Sequence, residues 1–305
     1  MKFEKVTASK GGMFAPSPLI SIMVQSLHHE GTKLFKYRMN ESNAGKARKY
    51  LISKGIDSFF LKIHSAFQFT IRFFKEVFKP PFEWKEIVRQ CYEVGYKSLP
   101  LITLTGFITG LVFTKQSRPS LADFGAASWL PSLVSIAIVR ALAPLVTALI
   151  CAGKVGSNIG AELGSMKVTE QIDAMEVSAI NPFKFLVVTR VLATTFMLPL
   201  LMLYTALVGL LGSFLDVNAN EQTSFVTFFE NAFSTITFLD LFTSLAKATV
   251  FGFTIGIVSS YKGYHATQGT QGVGIAANTS VVISMFLIFV EEVVIVQISN
   301  WLRTA

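Results

Sequence analysis

Five long apolar stretches follow residue 96, and each is long enough to cross a lipid bilayer. About 20 apolar residues in a helix span the hydrocarbon core. The pattern therefore predicts an all-α integral membrane protein with five transmembrane helices. The predicted spans cover about residues 97–116, 130–151, 183–214, 240–261 and 276–299.

An amphipathic segment, residues 58–79, precedes the first span. Its apolar side chains recur every three or four positions, which is the spacing of one helix face, and Lys and Arg occupy much of the opposite side. The segment is too charged to cross the membrane, so we expect a helix lying in the membrane interface. Its apolar stripe consists of Phe60, Ile63, Phe67, Ile71, Phe74 and Phe78.

Composition and patterning divide the chain into three regions. Residues 1–57 are polar and weakly patterned, which indicates a partly disordered cytoplasmic extension. Residues 58–96 carry the interfacial helix and a second amphipathic run that leads into the first span. Residues 97–305 form the five-span domain.

The stretch between the second and third spans, residues 151–182, is polar without resembling a flexible linker. Glycines at positions 153, 156, 160 and 164 favour a tight turn out of the membrane. Apolar residues at 168, 172, 175 and 179 then recur at helical spacing, and Asn181–Pro182 ends the pattern. This pattern predicts a short amphipathic helix whose exposed face needs a binding partner.

Composition agrees with a membrane protein and differs from that of a soluble domain. Only 15% of residues are charged, against about 25% in soluble domains, and the mean hydropathy is +0.51. The net charge of +8 does not indicate nucleic acid. Most Lys and Arg residues precede residue 98, where they face an anionic cytoplasmic leaflet.

Lysine and arginine in the loops predict the orientation, since cytoplasmic loops are enriched in them. The N-terminal region is basic, and the 151–184 loop contains Lys154, Lys167 and Lys184. Residues 215–239 contain no Lys or Arg. We therefore expect a cytoplasmic N-terminus, a cytoplasmic 151–182 helix and, after five spans, a C-terminus outside.

Arg140, Lys247, Glu291 and Glu292 lie within predicted spans. Each costs about 2.5–3.5 kcal/mol at the bilayer centre unless it is paired or hydrated. Two interpretations remain open, a polar patch in a substrate pathway or a buried ion pair that fixes helix packing. Adjacent helical residues point about 100° apart, so at most one glutamate is expected to meet Arg140 or Lys247.

The sequence lacks the motifs of the common catalytic and metal sites. The segment nearest to a phosphate-binding loop, residues 40–47, lacks the first Gly and the final Ser or Thr. The four His residues have no metal-ligand spacing. We predict neither an enzyme nor a metal site, although an intramembrane enzyme that uses Glu292 with Lys247 or His265 stays open.

The 152–182 segment, AGKVGSNIGAELGSMKVTEQIDAMEVSAINP, resembles the cytoplasmic loop of the MlaE/YrbE family of ABC-transporter permeases. Its TEQIDAM element at 169–175 is quite specific. The resemblance covers about residues 60–300. It extends in order through VRQCYEVGYKSLP, GFITGLVFTKQ, IVRALAPLVTALICAG, PFKFLVVTRVLATTFMLPLL, LAKATVFGF and GYHATQGTQGVG.

The resemblance implies a homodimeric, multi-pass permease of the bacterial inner membrane with its C-terminus in the periplasm. Separate ATPase subunits would bind ATP and Mg²⁺, so no cofactor is expected in this chain. A periplasmic MCE-domain protein would be a further partner. The implied function is transport of phospholipids or related lipids between the inner membrane and the outer envelope. The alternatives are transport of another hydrophobic solute, or a membrane scaffold or lipid-modifying enzyme.

The resemblance also assigns individual residues. Arg140 and Lys247 match basic residues of the family's lipid pathway, and Glu292 matches an acidic position in the last span. The sequence departs from the family pattern at Ala141, where other members have Glu, and at Ile275 and Thr279, which replace basic residues. The coupling helix that contacts the ATPase would contain Glu170, Gln171, Asp173, Ala174 and Met175.

Overall fold

The computed structural model describes residues 60–80, 82–267 and 269–304. The chain divides into two units, residues 1–65 and 66–305, and the packing below concerns the second. The predicted extension at 1–57 lies outside the described residues.

Across these three ranges the chain forms helices and short turns, with no strand. The first helix, α1, covers residues 60–77. The others are α2 (Trp84–Val94), α3 (Leu99–Asp123), α4 (Leu130–Ala137), α5 (Ala143–Cys151), α6 (Ser157–Val168), α7 (Gln171–Val177), α8 (Thr189–Glu221), α9 (Phe225–Ser234), α10 (Phe238–Tyr264) and α11 (Gly269–Thr304).

Several helices join end to end into five long rods, each apolar and long enough to cross a membrane. Three π-helical turns, Ile138–Leu142, Ala152–Gly156 and Phe183–Val188, provide some of these joints. The rods are Trp84–Asp123, Leu130–Val168, Phe183–Glu221, Phe238–Tyr264 and Gly269–Trp301. The predicted all-α membrane fold with five spans is confirmed. We call the end of the bundle near α7 the α7 end and the opposite one the α9 end.

The rods are longer than predicted, and several expected loops are helical. The expected loops at 117–129, 215–239 and 262–275 were largely wrong: α3 continues to Asp123, α8 to Glu221, and α11 begins at Gly269. Much of the second loop is the separate helix α9. The reason is that a polar residue marks where a helix leaves the lipid, whereas backbone hydrogen bonds continue the helix into water.

The predicted tight turn at glycines 153–164 was also wrong, because this segment is helical throughout. Its glycines let neighbouring helices approach. A β-carbon on Gly160 would lie 3.2 Å from the carbonyl oxygen of Ala276 in α11. A β-carbon on Gly263, at the end of α10, would lie 3.0 Å from the Gly160 carbonyl oxygen.

Helix α8 is packed along both α3 and α10, and α11 is packed against α6 and α10. The α3–α8 contact depends on small residues, Gly106 and Gly110 of α3 among them. A β-carbon on Gly110 would lie 1.9 Å from the carbonyl oxygen of Gly209 in α8. The two backbones therefore touch where α3 crosses α8.

Helix α1 packs on the bundle through a face that the sequence did not single out. Phe69 and Phe73 are buried, and the Phe69 ring meets the Phe183 ring at 4.9 Å between centroids. In the predicted apolar stripe, Phe67 is 63% and Phe78 78% exposed, while the Phe74 ring meets the Phe253 ring of α10 at 5.6 Å. A helix in the membrane interface would bury such a stripe in lipid.

The Gly110–Gly209 contact predicts that Gly110→Ala is destabilising. The added methyl would overlap backbone atoms that cannot rotate away, and overpacking of this kind costs about 1–3 kcal/mol. Thermal unfolding of the detergent-purified chain measures the effect. The matched control is Gly274→Ala, since a β-carbon there meets nothing within 4 Å; equal unfolding temperatures for the two variants would contradict the contact.

Candidate functional site

Three of the predicted intramembrane charges, Arg140, Lys247 and Glu292, meet in one cluster. Arg140 lies in the π-helical turn Ile138–Leu142 of the second rod. It is ten residues beyond Leu130, or about 15 Å along a helix. If Leu130 marks one edge of the hydrocarbon core, that depth is near the bilayer centre.

Proline 144 exposes a backbone acceptor at this depth. The Arg140 carbonyl would normally accept a hydrogen bond from the N–H four residues later, and that residue is Pro144, which has none. The Lys247 ammonium donates to this carbonyl at 3.1 Å. The Arg140 carbonyl of the second rod thus accepts a hydrogen bond from the Lys247 ammonium of the fourth.

Lys247 also joins the fourth and fifth rods. Its Nζ lies 2.6 Å from Oε1 of Glu292 in α11, and the two side chains are only 5% and 15% exposed. Both charges are therefore compensated where water is scarce. Glu291, one residue earlier, instead accepts a hydrogen bond from the Thr254 hydroxyl at 2.5 Å. Only one of the adjacent glutamates meets Lys247, as their angular separation requires.

Arg140 has a carboxylate partner that the sequence analysis missed, Asp240. The Arg140 Nη2 donates to Asp240 Oδ2 at 2.8 Å, and Nε lies 2.7 Å from Oδ1. Asp240 also closes a capping box with Thr237 at the start of α10. The signal was present, because Thr followed three residues later by an acidic residue marks a helix start.

The two cations differ in what they can reach. Lys247 is enclosed, whereas the Arg140 side chain is 34% exposed while its partner Asp240 is 1% exposed. The Arg140 guanidinium thus keeps an accessible edge next to a buried carboxylate. Such an edge can donate hydrogen bonds to a phosphate or another anionic group.

The predicted coupling segment forms α7, a helix of seven residues. Residues in the left-handed conformation flank it, Glu170 and Ala179, both with φ of 59°. That conformation costs a non-glycine residue about 1–2 kcal/mol, so the surrounding structure must hold both turns. Lys167 Nζ lies 2.7 Å from Asp173 Oδ1 and ties α7 to α6.

The apolar stripe of α7 packs on the bundle itself. Ile172 is 1% exposed and Met175 is half-buried in the same cluster. Val177 is 90% exposed. The surface left for a partner is therefore polar with one apolar side chain. The exposed residues of the predicted set are Glu170, Gln171, Asp173 and Ala174.

An ion pair between α8 and α6 was missed by the sequence analysis. Arg190 in α8 is 2% exposed, and its Nη2 lies 2.9 Å from Glu162 Oε1 in α6. It thereby joins the two helices on either side of α7. The available signal was a lone cation inside the apolar run of the third span, the same signal that identified Arg140.

Beyond these ion pairs, the described residues contain no group of three or more His, Cys, Asp or Glu side chains that could hold a metal ion.

Comparison with known proteins identifies relatives over most of this structure. The family model described as Permease MlaE matches residues 87–298. A probable ABC transporter permease protein of Rickettsia typhi is 37% identical over 73% of this chain and 86% of its own length. A probable ABC transporter permease protein of Rickettsia felis is 32% identical over 85% of this chain and 98% of its own.

A plant relative is more distant. The protein named trigalactosyldiacylglycerol 1, chloroplastic, of Arabidopsis thaliana is 31% identical over 72% of this chain and 63% of its own length.

The cluster predicts a large effect of Lys247→Met and a small one of the double variant Lys247→Met/Glu292→Leu. The single change leaves a buried carboxylate unpaired, which costs about 3–5 kcal/mol, whereas replacing both partners is close to neutral. Thermal unfolding in detergent measures both, with Lys115→Met, at an exposed site, as the control. Equal losses from the single and double variants would contradict the pairing.

Proposed function

Since the chain belongs to the MlaE family of ABC transporter permeases, we propose that it moves phospholipids or related lipids between the inner membrane and the outer envelope of a bacterium. The observation that carries the proposal is the exposed edge of Arg140 within the second of the five membrane-spanning rods. An exposed cation there costs free energy unless a polar ligand reaches it, and a lipid brings a phosphate to that depth together with its chains. The plant relative's name, which contains that of a glycerolipid, supports a lipid substrate.

Lysine distribution supports the proposed orientation. The α7 end carries Lys154, Lys167 and Lys184 in and around the connection between the second and third rods. Cytoplasmic ends are enriched in such residues, so α7 and the N-terminus face the cytoplasm. Five spans then leave the C-terminus and α9 in the periplasm, where an MCE-domain protein would receive or deliver the lipid.

A second copy of the chain is proposed to cover α11. In the most apolar part of α11 only 11% of residues are buried, against 50% in the rods formed by α8 and α10. Phe286, Phe289 and Val293 are all more than half exposed on this helix, next to the carboxylates of Glu291 and Glu292. A homodimer would keep those carboxylates away from lipid.

The family assignment implies an ATPase partner, and α7 is its proposed docking site. The ATPase would bind ATP and Mg²⁺, so this chain needs no cofactor of its own. Closure of the ATPase pair would displace α7 as a rigid body. The Lys167–Asp173 and Glu162–Arg190 pairs would then pass that displacement to α6 and α8.

Removing the charge of Arg140 is expected to reduce lipid transfer at least tenfold, because the phosphate would lose a charge-assisted hydrogen bond worth about 1.5–3 kcal/mol. The variant is Arg140→Gln/Asp240→Asn, which leaves no buried unpaired carboxylate. Transfer between vesicles by the reconstituted complex is the measurement, and co-purification of the ATPase checks assembly. Arg140→Lys, which keeps the charge, should retain part of the activity.

Normal transfer by the double variant would contradict a role for Arg140 in the lipid pathway. Transfer only of lipids that lack phosphate would restrict the proposal to another hydrophobic substrate.

The α7 docking site predicts that Val177→Asp weakens ATPase binding about tenfold, since it places a carboxylate at an apolar contact. Val177 is 90% exposed, so the change should not disturb folding of the chain itself. Val226→Asp makes the same substitution at a side chain 70% exposed on α9 and should bind normally. Equal ATPase recovery by pull-down for both variants would rule out Val177 as a contact.

A further inference from the structure

A polar cleft of about 230 Å³ lies between α2 and the second rod on the α7 side of the bundle. Three cations, Arg89, Lys97 and Lys154, line it together with Glu93 and Glu162. None of these side chains belongs to the intramembrane cluster around Arg140. The cleft is therefore a separate feature that needs its own explanation.

The carboxylates of the cleft already have partners. Glu93 is paired with Lys97 at 2.7 Å, and Glu162 with the buried Arg190 at 2.9 Å. Unlike Lys97, Lys154 pairs with no carboxylate across the described ranges. Its ammonium donates to the carbonyl oxygen of Lys97. Two of its three N–H groups remain for a ligand, so the cleft favours an anion.

The cleft lies at the depth of lipid headgroups. Lys154 is 24 residues beyond Leu130, or about 36 Å along a helix. With Leu130 at one edge of a hydrocarbon core of about 30 Å, Lys154 lies about 6 Å past the other edge, among the headgroups. The depth is the one at which a phospholipid presents its phosphate.

Aromatic side chains on α2 and the turn after it give independent support for that depth. Trp84, Tyr92 and Tyr96 are 67%, 52% and 61% exposed, and the rings of Tyr92 and Tyr96 stack at 5.0 Å. Exposed Trp and Tyr are enriched where membrane proteins cross the headgroup region. The cleft thus opens beside an aromatic surface suited to the membrane interface.

We propose that this cleft binds the phosphate of a phospholipid headgroup from the leaflet at the α7 end, with Lys154 and Lys97 as its main donors. The proposal rests on the lipid-transport function above and adds a holding site for the substrate headgroup, about 21 Å along the helix from Arg140. Arg89 lies at the cleft wall, where its guanidinium is paired with Glu86 at 3.3 Å.

The test measures binding of dihexanoyl phosphatidylethanolamine to the delipidated full-length chain by native mass spectrometry. The Arg140→Gln/Asp240→Asn background removes binding at mid-membrane depth. Lys154→Gln is expected to weaken binding about tenfold, the loss of one charge-assisted hydrogen bond. Lys97→Gln/Lys154→Gln should weaken it further. Lys85→Gln is the matched control, because Lys85 is exposed on α2 but does not line the cleft.

Several results would overturn the proposal. Equal affinity of Lys154→Gln and Lys85→Gln would show that the cleft does not hold the phosphate. Equal binding of dihexanoylglycerol, which has no phosphate, would have the same meaning, and equal competition by inorganic phosphate would show that no lipid is required. Loss of ATPase or self-association in Lys154→Gln with unchanged lipid binding would assign the cleft to a protein contact.

The outcomes separate this inference from the proposed function. If the assembled complex transfers no lipid while Lys154-dependent binding is measured, the transport proposal fails and the headgroup site stands. If transfer is normal and Lys154→Gln binds phospholipid like the control, the headgroup site fails alone.

Discussion

The architecture depends on how one buried ammonium group is compensated. Lys247 cannot be hydrated inside the bilayer, and its charge is met by the Glu292 carboxylate and the Arg140 carbonyl. Those two partners belong to the fifth and second rods, and Lys247 to the fourth. Three helices are thus held in one register by a single side chain, and Pro144 makes this possible by leaving the carbonyl without its usual donor.

Close backbone contacts and ion pairs have complementary roles in the bundle. Glycines at the α3–α8 and α6–α10 crossings bring helices together without specifying charge. The charged side chains then act at different levels of the bundle: Arg140 and Lys247 lie within the rods, Lys154 lines the cleft on the α7 side, and Lys167–Asp173 joins α6 to α7. In the proposed transport cycle, a lipid headgroup and the force from the ATPase act at different levels of the same continuous rod, Leu130–Val168.

The number of spans was predictable because bilayer thickness sets a minimum apolar length, and each of the five runs exceeds it. Helix ends were not predictable in the same way. Asp123 and Glu221 end rods that continue past the apolar runs, since hydropathy reports the lipid boundary rather than the helix boundary. Gly160 was misinterpreted for a related reason, because glycine is favoured both in turns and where two helices cross closely.

Partners of the buried charges were only partly predictable. Arg140, Lys247 and Glu292 stood out by being charged within apolar runs, and the structure brings all three together. Asp240 and Arg190 were missed, although a capping box and a lone cation marked them. Pairing depends on which faces meet across helices about 100 residues apart, as for Arg140 and Asp240, and one sequence does not contain that information.

The position of the charges along the chain has a consequence for how the protein enters the membrane. Lys247 and Glu292 lie on consecutive rods joined by a short connection after Tyr264, so α10 and α11 can leave the translocon as a hairpin with those charges already neutralised. Arg140 emerges 100 residues before Asp240. During synthesis the Arg140 guanidinium therefore has no Asp240 carboxylate to bind until α10 is made. Until then it stays in the channel or extends toward the headgroups. The order of synthesis makes the α10–α11 hairpin the unit whose insertion completes the bundle.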